Sequence, residues 1–353
     1  MKIITCSSYY GVGSSAFTDL VAEYDSVKDL SNFEFRFLHD LDGVSDLEYH
    51  LVENQNRHNS GHALKRFRKL SHFNEGNILS KRYSQFFDGD EYHRLTEDYI
   101  NSVNDFSFQG WWFYDLYDKG EKTYYLYQII NHLKAKITGS RDQILKKEII
   151  YCPHPSEEEF LEKTRGYVSN LMRALNKECK EYLEIDQIVP SSNMERVLRY
   201  FSDEIFVFAV DRDPRDIYFS WKYYWKEAIP PHDGVEKFCK WCRFIREVGN
   251  GIPSDNDHVI KVQFEDLIYK YDETVQKVEA ATGLDPSLHT RKFAKMNPLR
   301  SVNNTRVWEK HTSPDDVREL KYIEQTLPEY LYDFSKVKRD DVVGIPVNDK
   351  TTF

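Results

Sequence analysis

The chain has 353 residues, of which 58 are acidic and 48 basic, giving a net charge of −10. That balance offers no general footprint for nucleic acid, and no apolar run approaches the roughly 20 residues that cross a bilayer. At this length the chain can bury a substantial core, as one large α/β domain spanning 1–353 that carries an insertion. The first apolar segment begins at Lys2 and leaves no room for a signal peptide, so the expectation is a cytoplasmic, bacterial-type enzyme.

Lys2-Ile-Ile-Thr-Cys6 reads as a strand and Ala16-Phe-Thr-Asp-Leu-Val-Ala22 as a helix with an apolar face. Between them, Gly11 and Gly13 let the backbone curl with its N–H groups inward, and Ser14 and Ser15 put hydroxyls at a helix N-terminus, which favours an anion. The segment departs from a nucleotide-triphosphate loop: Ser8 stands at the first glycine and Ser14 at the lysine of GxxxxGK. Simple NTP hydrolysis is therefore not expected.

Phe33-Glu-Phe-Arg-Phe-Leu38 alternates as a second strand over 34–38 and delivers His39 and Asp40 at its end. Histidine titrates near neutrality, so His39 is the first candidate for a general base; its bland role is to cap the strand or bond Asp40. Residues 45–145 are rich in Tyr, Phe, His and Asn and show short helical patterns without a clear strand, as in a helical cap on the acceptor side. Their aromatic clusters, Gly110 to Tyr117 and Tyr124 to Tyr127, read as core of that cap, with stacking on a sugar as the functional alternative. The basic run His62-Ala-Leu-Lys-Arg-Phe-Arg-Lys69 reads as a solvated helix face before an acidic-substrate clamp.

Further strands are expected at 147–151, followed by Cys152-Pro-His154; at 184–189, which carries Asp186 and Gln187; and at 205–211 and 258–262. The fourth of these six strands ends in a turn where Gln187 offers an uncharged donor. The fifth delivers Arg212, with Pro214 suited to the first helical turn and Ser220 eight residues beyond the arginine. Arg212 can grip a phosphate with its planar fork and Ser220 can add a hydroxyl. Strands alternating with helices imply a parallel sheet covered on both faces, with ligands outside the strands' carboxyl ends. Cys239 and Cys242 form a C-x-x-C inside an amphipathic helical pattern, without a second Cys or His pair nearby, and read as core thiols. Residues 342–353 read as a loosely held tail.

Gly11-Val-Gly-Ser-Ser15 and Arg212-Asp-Pro-Arg-Asp-Ile-Tyr-Phe-Ser220 together resemble the sulfotransferases that use 3′-phosphoadenosine 5′-phosphosulfate (PAPS). Val259-Ile-Lys-Val-Gln-Phe-Glu-Asp-Leu267 with Gly283-Leu284, and Asn303-Asn-Thr-Arg-Val-Trp-Glu-Lys310, extend the similarity to 1–40 and about 184–325, in the family's order. The resemblance implies a P-loop-like fold: a central parallel sheet flanked by helices, with a largely helical insertion. It implies that Gly11, Val12, Gly13, Ser14 and Ser15 hold the 5′-phosphosulfate and that Arg212 and Ser220 hold the 3′-phosphate. Trp308 and Lys310 would close over the nucleotide, with Arg306 available as a second grip on the 3′-phosphate; Gln187 either bonds a sulfate oxygen or serves the turn before the helix. His39 follows the second strand where several carbohydrate sulfotransferases carry a base; Asp186 and His154 are the reserve candidates.

The implied activity is sulfuryl transfer to a hydroxyl or amine of a carbohydrate-like acceptor, with the nucleotide PAP released and no obligatory metal. Many family members carry a lysine where this chain has Gly11, to stabilise the bridging oxygen; Lys65, Arg66, Arg306 and Lys310 are candidates to replace it. Two other readings stay open: a non-enzymatic member that keeps nucleotide binding, and a small-molecule kinase.

Overall fold

The strand β1 (Lys2–Ser8) buries Ile3, Ile4, Thr5, Cys6 and Ser7 completely, as does β6 (Glu204–Asp211) for Val207, Phe208 and Val210. Runs apolar on both faces belong at the centre of a parallel sheet covered on both sides. A computed structural model of the chain describes residues 1–30, 33–77, 79–140, 148–225, 233–248, 251–253 and 256–346. It divides into two compact units, Met1–Arg36 with Asn176–Phe353, and Phe37–Leu175.

The first unit holds a five-stranded sheet in which β1, β2 (Val27–Lys28), β5 (Tyr182–Glu184), β6 and β7 (Val259–Gln263) lie in the order β2-β5-β1-β6-β7. All four pairings are parallel. Helices cover the sheet, and Phe17 of helix Ser14–Val21 stacks on Phe208 with ring centres 4.3 Å apart. The chain leaving β1 travels to β2 on one side, whereas the chain leaving β6 travels to β7 on the other. Adjacent strands whose connections diverge leave a crevice outside their carboxyl ends, and in such sheets ligands bind there.

The second unit is mostly helical, with helices Val44–Glu48, Asn59–Glu75, Glu91–Ser102, Phe113–Lys119, Glu121–Thr138 and Glu157–Leu175. Tyr99 and Tyr167 stack at 4.4 Å in its interior, and their hydroxyls bond Thr164 and Thr96 at 2.8 and 2.9 Å. Each buried phenol thus finds the partner that burial demands.

Several sequence expectations change, among them the strand expected at 184–189, which is β5 over Tyr182–Glu184 and ends before Asp186 and Gln187. Residues 34–38 form no strand: Glu34 makes one isolated bridge to Asp186, and the second sheet strand is the two-residue β2. Phe35 and Phe37 are buried beside exposed Glu34 and Arg36, so the alternation is real, but β5 has ended at Glu184 and the chain turns at Gln187, where φ is +58°. The strand expected at 147–151 is β4 (Ile149–Cys152), outside the parallel sheet and paired antiparallel with β3 (Phe106–Gln109). All four β3 residues are exposed, so β3 carried no burial pattern from which a strand within 45–145 could be read. Cys239 and Cys242 are free, buried thiols of helix Val235–Glu247, pushed up to about 12 by burial. Of the tail, residues 347–353 lie outside the described residues.

Phe208→Ala, at a fully buried position in contact with Phe17, should lower unfolding stability by ~3–5 kcal/mol in urea denaturation. A loss below about 1 kcal/mol would contradict this packing.

Candidate functional site

At the crevice between β1 and β6 the two glycine turns are fixed by conformation and by crowding. Gly11 has φ +77° and Gly13 φ +82°, both left-handed. A Cβ on Gly11 would lie 2.5 Å from the Trp221 ring, and one on Gly13 would lie 2.7 Å from the Phe264 ring. The loop is therefore pressed between the helix that follows β6 and the start of the helix that follows β7. Val12 is buried as the loop's anchor. Ser14 and Ser15 open helix Ser14–Val21, Ser15 exposed and Ser14 half-buried.

Arg212 leaves the end of β6 and points back under this loop. It is only 2% exposed, and its guanidinium donates to Gly11 O at 3.3 Å, Ser220 Oγ at 3.2 Å and Asn304 O at 2.5 Å. Its Nε is buried without a hydrogen-bond partner, and it makes no ion pair among the described residues. The rings of Phe264 and Trp225 lie 5.0 and 5.9 Å from its central carbon. Burial pushes the guanidinium below its ordinary value, while Asp216, Glu265 and Asp213 pull it back up. The sequence spacing worked because helix Pro214–Ser220, capped by Asp213 and started by Pro214, returns Ser220 to the arginine two turns later.

The segment Asn303–Lys310 docks on that helix. Asp216 accepts from Arg306 N at 3.1 Å and Val307 N at 2.7 Å, and burial pushes its carboxyl up although Arg212 opposes this. Arg306 takes φ +51° and spends its guanidinium on Phe334 O and Val337 O, at 2.9 and 3.4 Å. Trp308 lies 4.3 Å from the Arg215 guanidinium, which pairs with Asp213 at 2.7 Å and Glu324 at 2.9 Å. Lys310 is exposed and donates to Asn303 O at 3.2 Å.

At the neighbouring strand end, Gln187 donates from Nε2 to Ser8 Oγ at 2.7 Å, tying β5 to β1. Asp186 is buried, and burial together with Glu34 pushes its carboxyl up to about 7, against the Gln187 N–H. Glu184, one strand repeat earlier, is raised well above the carboxylate range by burial and by Asp186 and Asp29. Asp186 was a sequence candidate, but its pairing with Glu184 was missed; the signal is carboxylates at i and i+2 in an otherwise apolar segment.

The remaining candidates belong to the second unit. His39 lies in the turn after Phe37, half-buried, and His154 is exposed ahead of helix Glu157–Leu175. Lys65 pairs with Asp115 at 2.6 Å and Arg66 with Asp42 at 2.7 Å, so the basic run is ion-paired rather than freely solvated. Phe113, Tyr114 and Tyr117 are 71, 40 and 72% exposed, and with Leu41, His62 and Arg66 they line a cavity of about 640 Å³. Rings expected in the core of the cap thus face solvent, as do Tyr125 and Leu126.

Gly11→Ala should cost ~2 kcal/mol or more, from strain at positive φ and contact with Trp221, and Gly11→Lys should cost at least as much. Thermal unfolding of the two variants checks this; an unchanged midpoint in either would refute the contact. Asp186, raised from its unfolded value of 3.8 to about 7, contributes stability below pH 4 that is lost as pH rises through 7. Asp186→Asn should therefore gain on the wild type by on the order of 2–4 kcal/mol between pH 4.5 and 7.5. A stability difference that stays constant over that range would show that Asp186 titrates normally.

No protein-family model matches this chain, and no curated protein matches it.

Proposed function

We propose that the chain is a PAPS-dependent sulfotransferase acting on a carbohydrate-like acceptor. The observation that carries the reading is Arg212: a buried guanidinium without an ion pair among the described residues, one N–H unpartnered, beside Ser220 and a glycine loop in the β1/β6 crevice. A buried cation is costly unless something neutralises it, and an anionic ligand would do so. The 3′-phosphate takes the place of Asn304 O on the guanidinium and bonds Ser220 Oγ, and the N–H groups around Gly11 to Ser15 receive the phosphosulfate. Binding the 3′-phosphate therefore requires Asn303–Lys310 to shift, with Trp308 moving alongside the adenine.

Sulfuryl transfer needs alignment, stabilisation of the departing phosphate and a base for the acceptor proton. His39 serves as that base, with Asp186 and His154 as substitutes, and Gln187 bonds a sulfate oxygen. Within the second unit, the cavity lined by Phe113, Tyr114 and Tyr117 offers flat rings to the apolar face of a sugar. Ion pairing of Arg66 with Asp42 leaves that cavity suited to a neutral polyol. A binding-only role is the second reading, favoured by the Gly11 contact with Trp221, which leaves no room for a lysine at that position.

In a thermal-shift assay PAP should raise the unfolding midpoint, and ATP with magnesium should not. Arg212→Ala should weaken PAP binding ~10–100-fold, while His39→Ala leaves binding intact and suppresses sulfate release to sugars. Stabilisation by ATP with magnesium alone would transfer the reading to a kinase. PAP binding without turnover of PAPS over a glycan panel would favour the binding-only role.

A further inference from the structure

In the second unit, helix Asn59–Glu75 ends with His72 and Glu75 one turn apart on one face, and helix Glu91–Ser102 brings His93 to them. His72 Nδ1 lies 3.5 Å and His93 Nδ1 3.3 Å from the same atom, Glu75 Oε2. The three donor atoms all fall within 4.8 Å of one another, and the two imidazoles face each other with centres 5.2 Å apart and planes inclined by 36°.

Those separations have a chemical meaning. Two ligands bonded at about 2.1 Å to a tetrahedral ion lie roughly 3.4 Å apart. The observed 3.3 and 3.5 Å match two edges of such a tetrahedron, and the third, between the imidazoles, lies within 4.8 Å, a gap that rotation of the half-exposed imidazoles can close. The side chains are 46, 27 and 39% exposed, which gives an ion a path in and leaves the fourth position to water. Two imidazoles and one carboxylate favour borderline first-row ions, whereas magnesium and calcium prefer all-oxygen shells.

We infer that His72, Glu75 and His93 form a binding site for a divalent transition ion of the zinc type, bridging the helices Asn59–Glu75 and Glu91–Ser102. The site is built within the second unit and does not depend on the donor-nucleotide reading. Its effect is to clamp the ends of two helices joined by the segment 76–90, raising the stability of that unit when the ion is bound.

The test is titration of the metal-stripped full chain with ZnCl₂ in a non-chelating buffer, followed by calorimetry and thermal unfolding. One equivalent should bind and raise the midpoint, and MgCl₂ or CaCl₂ at the same concentration should not. His93→Ala and His72→Ala should each weaken Zn²⁺ binding at least about tenfold, and Glu75→Gln should weaken it less. In the unaltered chain, CoCl₂ should give the intense visible absorption of a tetrahedral site, which does not depend on how any variant folds. Failure of the wild type to bind one equivalent, unchanged affinity in both histidine variants, or an octahedral Co²⁺ spectrum would each overturn the assignment.

Discussion

One buried guanidinium joins three segments that are far apart in the sequence. Arg212, at the end of a central strand, holds the carbonyl of Gly11 from the first loop, the hydroxyl of Ser220 from its own helix and the carbonyl of Asn304 from a late loop. None of these partners is charged. Breaking such an arrangement strands a buried cation, so the loops are held in place by the high cost of separating from it. The nearby carboxylates act on other groups: Asp213 binds Arg215, Asp216 receives two N–H groups of the late loop, and Glu265 receives Asp213 N at 3.0 Å. The acids position the frame through these bonds, and their charges act on Arg212 without an ion pair to it among the described residues.

The same geometry accounts for Gly11. Trp221 follows directly on Ser220 and fills the volume where a side chain at residue 11 would begin. On the sulfotransferase reading we propose, the charge that a lysine at this position would supply has to come from elsewhere. Arg306 already holds two carbonyls, Lys310 is exposed, and Lys65 and Arg66 are paired with acids in the second unit. Each cation considered as a replacement therefore already has a partner.

What the sequence revealed, and what it withheld, follows from where the information resides. β1, β6 and the loops after them were legible because Ile-Ile and Val-Phe-Ala-Val runs, Gly11, Gly13 and Pro214 act locally. β2 was not, because two residues make no period, and Phe35 and Phe37 imitate a strand by alternating against the core without a ladder. β3 was silent because its side chains are all exposed. The Asp186 environment and the His72, Glu75 and His93 cluster depend on packing between distant segments, which spacing along the chain does not encode. The spacing of Arg212 and Ser220 did encode their contact, since both belong to one strand-to-helix corner.

A crystal structure of the chain with bound PAP would decide whether the buried face of Arg212 seats a nucleotide 3′-phosphate, as we propose. The 3′-phosphate should lie within hydrogen-bond distance of Arg212 and Ser220, with Asn304 O displaced from the guanidinium and the 5′-phosphate against Gly11 to Ser15. A nucleotide bound elsewhere, or bound with Arg212 still holding Asn304, would contradict it.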